Sequence, residues 1–278
     1  MTARQANAPQ VPRVRIVGTG RVAGALGTVL EELDWDVLAP IGRRDDCSGA
    51  AHQTDVVVIA TPDRAIAEVA AAIEPDAGAL VVHVAGSVGL EVLAGHPRRG
   101  ALHPLVSIPD PVTGAIRLRD GAWFAVAADH DADLALLGSI VAALHGHSAA
   151  VADADRAAYH AAAVVASNHL VALMGQVERI AATTGVPVEA FAKLASQTLD
   201  GLATATPTDA LTGPVRRGDW ATVARHLDAL APAERPGYAA LAELAAGLVP
   251  GDAEAPAWLA VARRGDDSAT RPGERDLR

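Results

Sequence analysis

The glycine-rich turn near the N-terminus is the feature that most constrains what this chain can fold into. A short run of β-branched residues at 14–17 leads into the turn, and an amphipathic helical pattern follows it. Gly18 suits a tight turn after a strand, Gly20 lets the backbone approach a pyrophosphate, and Ala23 lets the helix lie close to the strand. The helix N-terminus would present free N–H groups and the positive end of its dipole to phosphates. This setting predicts a dinucleotide site built from Gly18, Thr19, Gly20, Arg21, Val22 and Ala23.

Apolar runs and helical patterns alternate along the first half of the chain. The runs occupy residues 14–17, 36–41, 55–60, 79–84 and 123–127, and helical spacing of apolar residues recurs over 131–144. Runs that are apolar almost throughout, such as DVVVIA at 55–60, are typical of strands buried on both faces. Strands that alternate with helices predict an α/β fold with a Rossmann-type, doubly wound parallel sheet.

The pattern becomes wholly helical near residue 153. Residues 153–184 predict one long helix that ends before Gly185, and helical patterns recur at 187–203, 219–230 and 235–248. No strand pattern follows residue 151, which predicts an all-α C-terminal domain. The predicted organisation is a flexible N-terminus at 1–12, a Rossmann dinucleotide-binding domain at 13–152, a helical substrate and dimerisation domain at 153–249, and a loosely ordered tail at 250–278. Trp258 and Leu259 are expected to hold part of that tail.

Charge and cysteine content exclude several classes of function. The 278-residue chain has a formal net charge of -10 and its arginine pairs at 98–99 and 216–217 are isolated, so we expect no nucleic-acid partner. Its one cysteine, Cys47, allows no intramolecular disulfide and no multi-cysteine zinc site, and we predict no metal. A reducing compartment suits a single free thiol, so we expect a cytoplasmic protein.

The N-terminus and the most apolar stretch argue against export and membrane insertion. Residues 1–12 are polar and lack the apolar core of a signal peptide. Residues 157–174 come closest to a membrane span, but His160, Ser167, Asn168 and His169 interrupt them. We therefore expect this segment to be a buried helix, and we expect no contact with a membrane.

The end of the second predicted strand distinguishes between the two nicotinamide cofactors. An NAD site usually carries an acidic residue there, which binds the ribose 2′-hydroxyl. Here Arg43 and Arg44 follow the strand, and Asp45 and Asp46 are expected to lie past the ribose. Two guanidinium groups suit a 2′-phosphate, which favours NADP(H). The alternative is a solvated surface pair.

Three further residues follow the ends of predicted strands, where ligands bind in open α/β sheets, and His103 lies in a stretch with strand and turn character. Thr61 and Pro62 could line the nicotinamide ribose, although Thr61 could equally cap a helix. Ser87 could contact the substrate. His103 could bind or protonate a substrate oxyanion because imidazole titrates near neutrality, but a purely structural role is also open.

The second half offers a separate set of polar candidates. At about 100° per residue, His160 and Ser167 fall within about 20° of one another on the long helix, and Asn168 lies about 80° from His160. An active site or helix-to-helix hydrogen bonds would satisfy these groups. In the loop ALTGPVRRGD, Thr212 could bond a ligand and Arg217 could hold a carboxylate. The alternative for the loop is a plain helix connector.

Several segments together resemble one known family. They are GTGRVAGAL, ATPD, HVAGS, LHPL, DRAAYHAAAVVASNHLVAL and ALTGPVRRGD. The family joins a Rossmann-like domain to a helical domain of unknown function, and it is similar to ketopantoate reductase, pyrroline-5-carboxylate reductase and the β-hydroxyacid dehydrogenases. The resemblance implies NADPH-dependent reduction of the carbonyl of a small 2-oxo acid, with 2-dehydropantoate (ketopantoate) as the leading candidate. It also implies a homodimer formed through helical domains.

One departure from those enzymes affects the predicted catalytic residues. Ketopantoate reductase and the β-hydroxyacid dehydrogenases carry a catalytic lysine at the start of the first interdomain helix, whereas the matching helix here has none. His160 stands near that place and Asn168 lies two turns later, so His160, Asn168 and His103 are the predicted catalytic residues. Two alternatives stay open. One is a non-catalytic NADP(H)-binding sensor or interaction module, and the other is an oxidoreductase that acts on imines or prephenate-like carboxylates.

Overall fold

The computed structural model describes residues 11–251 and 255–265. Internal contacts divide the chain into two compact units, with the division after His169. Most of the predicted flexible N-terminus, at 1–10, and the parts of the predicted tail at 252–254 and 266–278 lie outside the described residues. The domain boundaries drawn from the sequence remain a prediction.

The first unit is built on one seven-stranded sheet in the order β2-β1-β3-β4-β5-β6-β7. The strands are β1 Val14–Val17, β2 Val37–Ile41, β3 Val56–Ile59, β4 Leu80–His83, β5 Arg99–Pro104, β6 Trp123–Ala128 and β7 His147–Ala150. Strands β2, β1, β3, β4 and β5 run parallel, so their carboxyl ends share one edge of the sheet. The predicted Rossmann-type α/β fold is confirmed.

One strand pairing departs from the parallel sheet that the sequence predicts. Strand β6 runs antiparallel to β5 and parallel to β7. The chain between β5 and β6 stays at the edge where β5 ends, because the Leu105 N–H donates to the carbonyl of Trp123, the first residue of β6. The pairing therefore brings Ala125 opposite His103.

Helices cover both faces of this sheet. They are α1 Arg21–Glu32, α2 Ile66–Ala72, α3 Pro111–Arg119, α4 Asp131–Ala143 and α5 Arg156–Val164. All residues of β3 and β4 are buried, as the continuous apolar runs predict. One apolar cluster joins α1, α3 and α4 to one face, and a second joins α2 to the other. The two clusters hold the strand ends in fixed register.

The second unit is helical throughout its described residues. Its helices are α6 Leu170–Ala181, α7 Val188–Leu202, α8 Pro207–Ala210, α9 Gly213–Arg216, α10 Trp220–Ala229, α11 Arg235–Ala246 and α12 Ala257–Arg263. Its core includes Val223 and Leu227 of α10 and Ala239 of α11. Trp258 and Leu259 are buried in the same core, so they hold part of the predicted tail in a helix.

The segment from Asp153 to Ala181 forms one continuous helix of 29 residues. A π turn at Val165–His169 joins α5 to α6. After α6 the chain turns at Gly185, where φ is +75°. The prediction that this helix is buried is wrong, because no residue of its most apolar 18-residue window is buried in the chain. Among the described residues it is the one helix with the length and composition of a membrane span.

Candidate functional site

The glycine turn has the backbone geometry of a phosphate-binding loop. Gly18 has φ +134°, and a Cβ there would lie 2.4 Å from the carbonyl oxygen of Ala60, so only glycine fits between β1 and the end of β3. Gly20 is the N-cap of α1, no side chain caps this helix, and a Cβ on Gly20 would meet nothing within 4 Å. The first N–H groups of α1 therefore face open space, which suits an anion. Ala23 is buried in the core, as predicted.

The end of β2 carries two exposed arginines and one carboxylate that folds back. Arg43 and Arg44 are exposed beyond Gly42. The Asp45 carboxylate accepts a hydrogen bond of 2.8 Å from the Gly42 N–H. A Cβ on Gly42 would lie 3.1 Å from this carboxylate and 3.6 Å from the Thr19 side chain. This short hydrogen-bonded turn brings the Asp45 carboxylate back against the end of β2, and the expectation that Asp45 lies past the ribose stays a prediction.

A cleft of about 370 Å³ runs along the carboxyl edge of the sheet from the glycine turn to β5. It is lined by Gly20, Arg21, Val22, Ala60, Thr61, Pro62, Asp63, Val84, His103, Pro104, Val106 and Ile108. The Thr61 hydroxyl is buried and has no hydrogen-bond partner among the described residues, and the short helix that follows has no side-chain cap. The cap interpretation of Thr61 is therefore wrong, and its hydroxyl is unpaired beside the cleft.

His103 meets two aromatic side chains of α5 at the end of this cleft. Its Nδ1 lies 2.7 Å from the Tyr159 Oη. The His103 ring makes edge-to-face contacts with the rings of Tyr159 and His160, at centroid distances of 5.5 and 5.8 Å. A Cβ on Gly86 would lie 2.4 Å from His160 Cδ2 and 2.9 Å from His103 Nε2. Glycine at position 86 thus lets both imidazoles reach the loop that follows β4.

A buried network fixes that loop. His83, at the end of β4, accepts at Nδ1 from the Ala85 N–H at 3.2 Å, and its Nε2 lies 3.3 Å from the Gly89 carbonyl oxygen. The guanidinium of Arg156 is fully buried and donates to the Ala85 carbonyl at 2.7 Å. Its Nε and Nη1 have no partner among the described residues. The loop is held from both strand β4 and helix α5.

Burial keeps two histidines of this site uncharged at neutral pH. Burial and then the Arg156 charge lower the pKa of His83 to about 4. Burial, followed by His160 and Arg156, lowers the pKa of His103 to about 4. Burial raises the pKa of Tyr159, against the smaller effect of Arg156. At neutral pH His83 and His103 are therefore uncharged and Tyr159 keeps its proton.

The remaining predicted residues lie apart from this cluster or outside the first unit. Ser87 is exposed on the loop after Gly86. Ser167 and Asn168 lie in the π turn, so the uniform α-helical angles used to align them with His160 do not hold there. Thr212 and Arg217 are exposed in the second unit, at the two ends of α9. No group of three metal-ligating side chains occurs within the described residues.

Sequence reasoning missed the roles of His83, Arg156 and Tyr159. His83 stands in an apolar strand run, and burial alone gives such a residue no functional signal. Arg156 and Tyr159 stand one turn apart on α5, with Tyr159 next to His160, so the helical period could have placed them on a shared face. The pairing of β4 with β5 brings His83 near His103, and the packing of α5 brings Tyr159 to His103 and Arg156 to Ala85.

Comparison with known proteins supports the fold over most of the chain. Residues 122–245 match the family described as Domain of unknown function (DUF2520), and no curated protein gives a significant match. The resemblance to a family with a helical domain of unknown function is confirmed to that extent. The link to ketopantoate reductase stays a prediction.

Several solved structures share the fold at low sequence identity. A Bacteroides fragilis protein provisionally described as an NADP oxidoreductase is 21% identical, with a TM-score of 0.73 over 86% of this chain and 99% of its own. The Thermotoga maritima protein TM1727 is 24% identical, with a TM-score of 0.64 over 84% and 97%. The Plasmodium falciparum pyrroline carboxylate reductase, solved with NADP bound, is 11% identical, with a TM-score of 0.57 over 86% and 98%.

Proposed function

We propose that this protein is an NADP(H)-dependent oxidoreductase that reduces the carbonyl of a small 2-oxo acid. The observation that carries the proposal is the open space over Gly20 at the uncapped start of α1, which continues as a cleft to His103. Gly18, Thr19, Gly20, Arg21, Val22 and Ala23 would hold the pyrophosphate through backbone N–H groups and the helix dipole. A β-carbon would fill this space, so the glycine fits the cofactor.

The ends of the neighbouring strands suit the rest of the cofactor. Arg43 and Arg44 beyond β2 offer exposed guanidinium groups for a 2′-phosphate. Thr61 and Pro62 beyond β3 would lie along the nicotinamide ribose, where the unpaired Thr61 hydroxyl gains a partner. Strands are about 4.8 Å apart, so the ends of β2 and β5 are separated by four spacings, or about 19 Å. An extended dinucleotide can follow this edge and bring its nicotinamide near His103.

The residues around Gly86 fit carbonyl reduction. When bound, NADPH supplies a hydride that forms a C–H bond at the carbonyl carbon. His160 gives its proton to the carbonyl oxygen as the C=O π bond breaks, and it is protonated again from solvent. His103 holds the same oxygen by a hydrogen bond. Asn168, Ser167 and Ser87 are the further candidates for orienting the substrate, and the roles of Thr212 and Arg217 stay predictions from the sequence.

Imine reduction is the second candidate, because two of the proteins with this fold are pyrroline-5-carboxylate reductases from Plasmodium falciparum and Streptococcus pyogenes. A cyclic imine acid presents a carboxylate and a C=N bond of similar size to a 2-oxo acid. A site with two histidines beside the reacting atom favours a carbonyl oxygen, which must take up a proton, over an iminium that already carries one.

A substrate panel tests the proposal directly. NADPH and NADH oxidation should be followed with 2-dehydropantoate, other 2-oxo acids, cyclic imines and prephenate. We expect turnover with a 2-oxo acid and preference for NADPH, and the His160→Ala variant should keep NADPH affinity while turnover falls at least about 100-fold. Tight NADPH binding without turnover on any compound would contradict an enzymatic function and favour a sensor. Turnover on imines alone would mean that the substrates are imines and not 2-oxo acids.

We also propose that the protein is a cytoplasmic homodimer. Helix α7 has no buried residue in the single chain, and Leu194, Leu199 and Leu202 on it are 59%, 50% and 40% exposed. The neighbouring α6 exposes Val171 to 72%. Large apolar side chains exposed in this number on two neighbouring helices are typical of an interface between copies.

A further inference from the structure

The two ring nitrogens of His103 have different surroundings. Nδ1 lies 2.7 Å from the Tyr159 Oη. Nε2 lies against Gly86, where an added Cβ would be 2.9 Å away, so only glycine at position 86 lets the imidazole sit here. His103 also lines the cleft that begins at Gly20. Because Nδ1 is occupied by Tyr159, Nε2 is the ring nitrogen left to bond a ligand in the cleft.

His103 has one ring proton at neutral pH, so which nitrogen carries it decides what Nε2 can do. The groups that face His103 are Tyr159, His160 and Arg156 from α5 and His83 from β4. Burial, with smaller effects from His160, Arg156 and His83, lowers the pKa of His103 and keeps the imidazole uncharged. A neutral imidazole has one donor nitrogen and one acceptor nitrogen. With the proton on Nε2 the ring donates into the cleft, and with the proton on Nδ1 it can only accept there.

Tyr159 selects between these two forms. Among the described residues its hydroxyl has one hydrogen-bond partner, His103 Nδ1. Burial keeps the phenol protonated, so Tyr159 has an O–H to donate and a nitrogen lone pair is its natural acceptor. Donation from Oη to Nδ1 requires Nδ1 to be bare and places the ring proton on Nε2.

We propose that Tyr159 is a positioning residue that holds His103 in the tautomer with the proton on Nε2, so that Nε2 is the donor available to the oxygen of a substrate carbonyl in the cleft. The inference rests on the proposed function for the identity of the substrate group, although the tautomer does not depend on it. A neutral imidazole used as a hydrogen-bond donor to a carbonyl has a known precedent in enzyme chemistry. Because His103 donates only a hydrogen bond in this role, His160 remains the separate source of the proton.

The loop opposite Nε2 is fixed well enough for this role. The Ala85 N–H donates to His83 Nδ1, and the Ala85 carbonyl accepts from Arg156. At the other end of the loop, Asp153 accepts from the Leu90 N–H at 2.7 Å. Gly86 is therefore held on both sides, and the fold keeps it against the rings of His103 and His160.

The second unit contains a matched control for the tyrosine. His226 Nδ1 lies 2.7 Å from the Tyr238 Oη, with the rings edge to face at 5.8 Å. This pair repeats the geometry of His103 and Tyr159 but its histidine is exposed and outside the cleft. Tyr238→Phe removes the same hydroxyl from the same kind of contact, so it controls for the chemical change.

The test is the tautomer of His103, measured by two-bond proton–nitrogen NMR on the full chain labelled with nitrogen-15 histidine, with His103→Gln to assign its signals. We expect the parent protein to show the Nε2–H form at pH 7.5, and Tyr159→Phe to lower the fraction of that form at least two-fold. Tyr238→Phe should leave the His103 signals unchanged. A parent His103 that is charged, or that carries its proton on Nδ1, overturns the proposal even if Tyr159→Phe fails to fold.

Kinetics provide a second readout once a substrate is known. Tyr159→Phe should lower kcat about ten-fold and leave the Kd for NADPH within two-fold of the parent value, while Tyr238→Phe changes neither. An unchanged kcat in Tyr159→Phe overturns the role of the pair in catalysis. If the parent turns over no carbonyl compound, the proposed function fails, and the NMR measurement still decides the tautomer.

Discussion

Gly18 and Gly20 belong to one short motif, yet the structure predicts opposite consequences for replacing each with alanine. A Cβ at position 18 would lie 2.4 Å from the Ala60 carbonyl oxygen, and φ is +134°. A Cβ at position 20 would meet nothing within 4 Å, and φ there is -78°. Gly18→Ala therefore tests the fold of the loop, whereas Gly20→Ala tests the space that a ligand would occupy.

The magnitudes follow from these contacts. For Gly18→Ala, the unfavourable φ costs about 1–3 kcal/mol and the overlap with a backbone oxygen costs about as much again, so we expect a loss of about 4 kcal/mol. That loss lowers Tm by roughly 10 °C. For Gly20→Ala, a poorer N-cap is offset by a less flexible unfolded chain, so stability should change by less than about 1 kcal/mol. Its Kd for NADPH should rise at least about ten-fold, or about 1.4 kcal/mol.

Thermal unfolding and calorimetric titration with NADPH measure both effects. Gly95→Ala is the control, because a Cβ on Gly95 also meets nothing within 4 Å and the residue does not line the cleft. It should bind NADPH as the parent does. The reasoning is refuted if folded Gly20→Ala binds NADPH within two-fold of the parent, because the pyrophosphate would then not lie over Gly20.

Three further predictions concern cofactor choice, pH and assembly. Replacing Arg43 and Arg44 with alanine should raise the Kd for NADPH at least about ten-fold and leave that for NADH within two-fold, and equal losses for both cofactors would contradict a 2′-phosphate site. Because the folded pKa values of His83 and His103 are about 4 against an ordinary 6.5, the unfolded chain binds more protons between these values. The contribution of these two histidines to the free energy of unfolding is thus fully present above pH 6.5. It should fall by up to roughly 3 kcal/mol per histidine as pH drops through this window, and urea unfolding at a series of pH values measures this fall. The His83→Asn variant should show a flatter dependence of stability on pH. Light scattering should give about twice the 28.3 kDa chain mass for the parent and a monomer for Leu194→Glu, and a monomeric parent would contradict the proposed interface.

The architecture could be predicted because its signals are local. Strands β3 and β4 appear in the sequence as continuous apolar runs, and strands buried on both faces need such runs. The glycine turn could be predicted for a related reason. The requirement at Gly18 comes from a neighbour, Ala60, but the motif itself occupies six consecutive residues.

The errors came from features that no local pattern records. Whether the helix at 153–181 is covered depends on what else the chain places beside it, so its apolar composition could not decide its burial. The π turn at Val165–His169 shifts the phase of the helix, and a uniform 100° per residue missed it.

The sequence by itself determined the sheet, the glycine turn and the helical second half, because backbone conformation and burial leave periodic marks on neighbouring residues. Only the tertiary structure decided the chemistry at the far end of the cleft. His83, His103 and Tyr159 are separated by 20 and 56 positions along the chain, and they meet because β4 and β5 end side by side under α5. Their protonation depends on burial beside Arg156, and burial is a property of the folded chain.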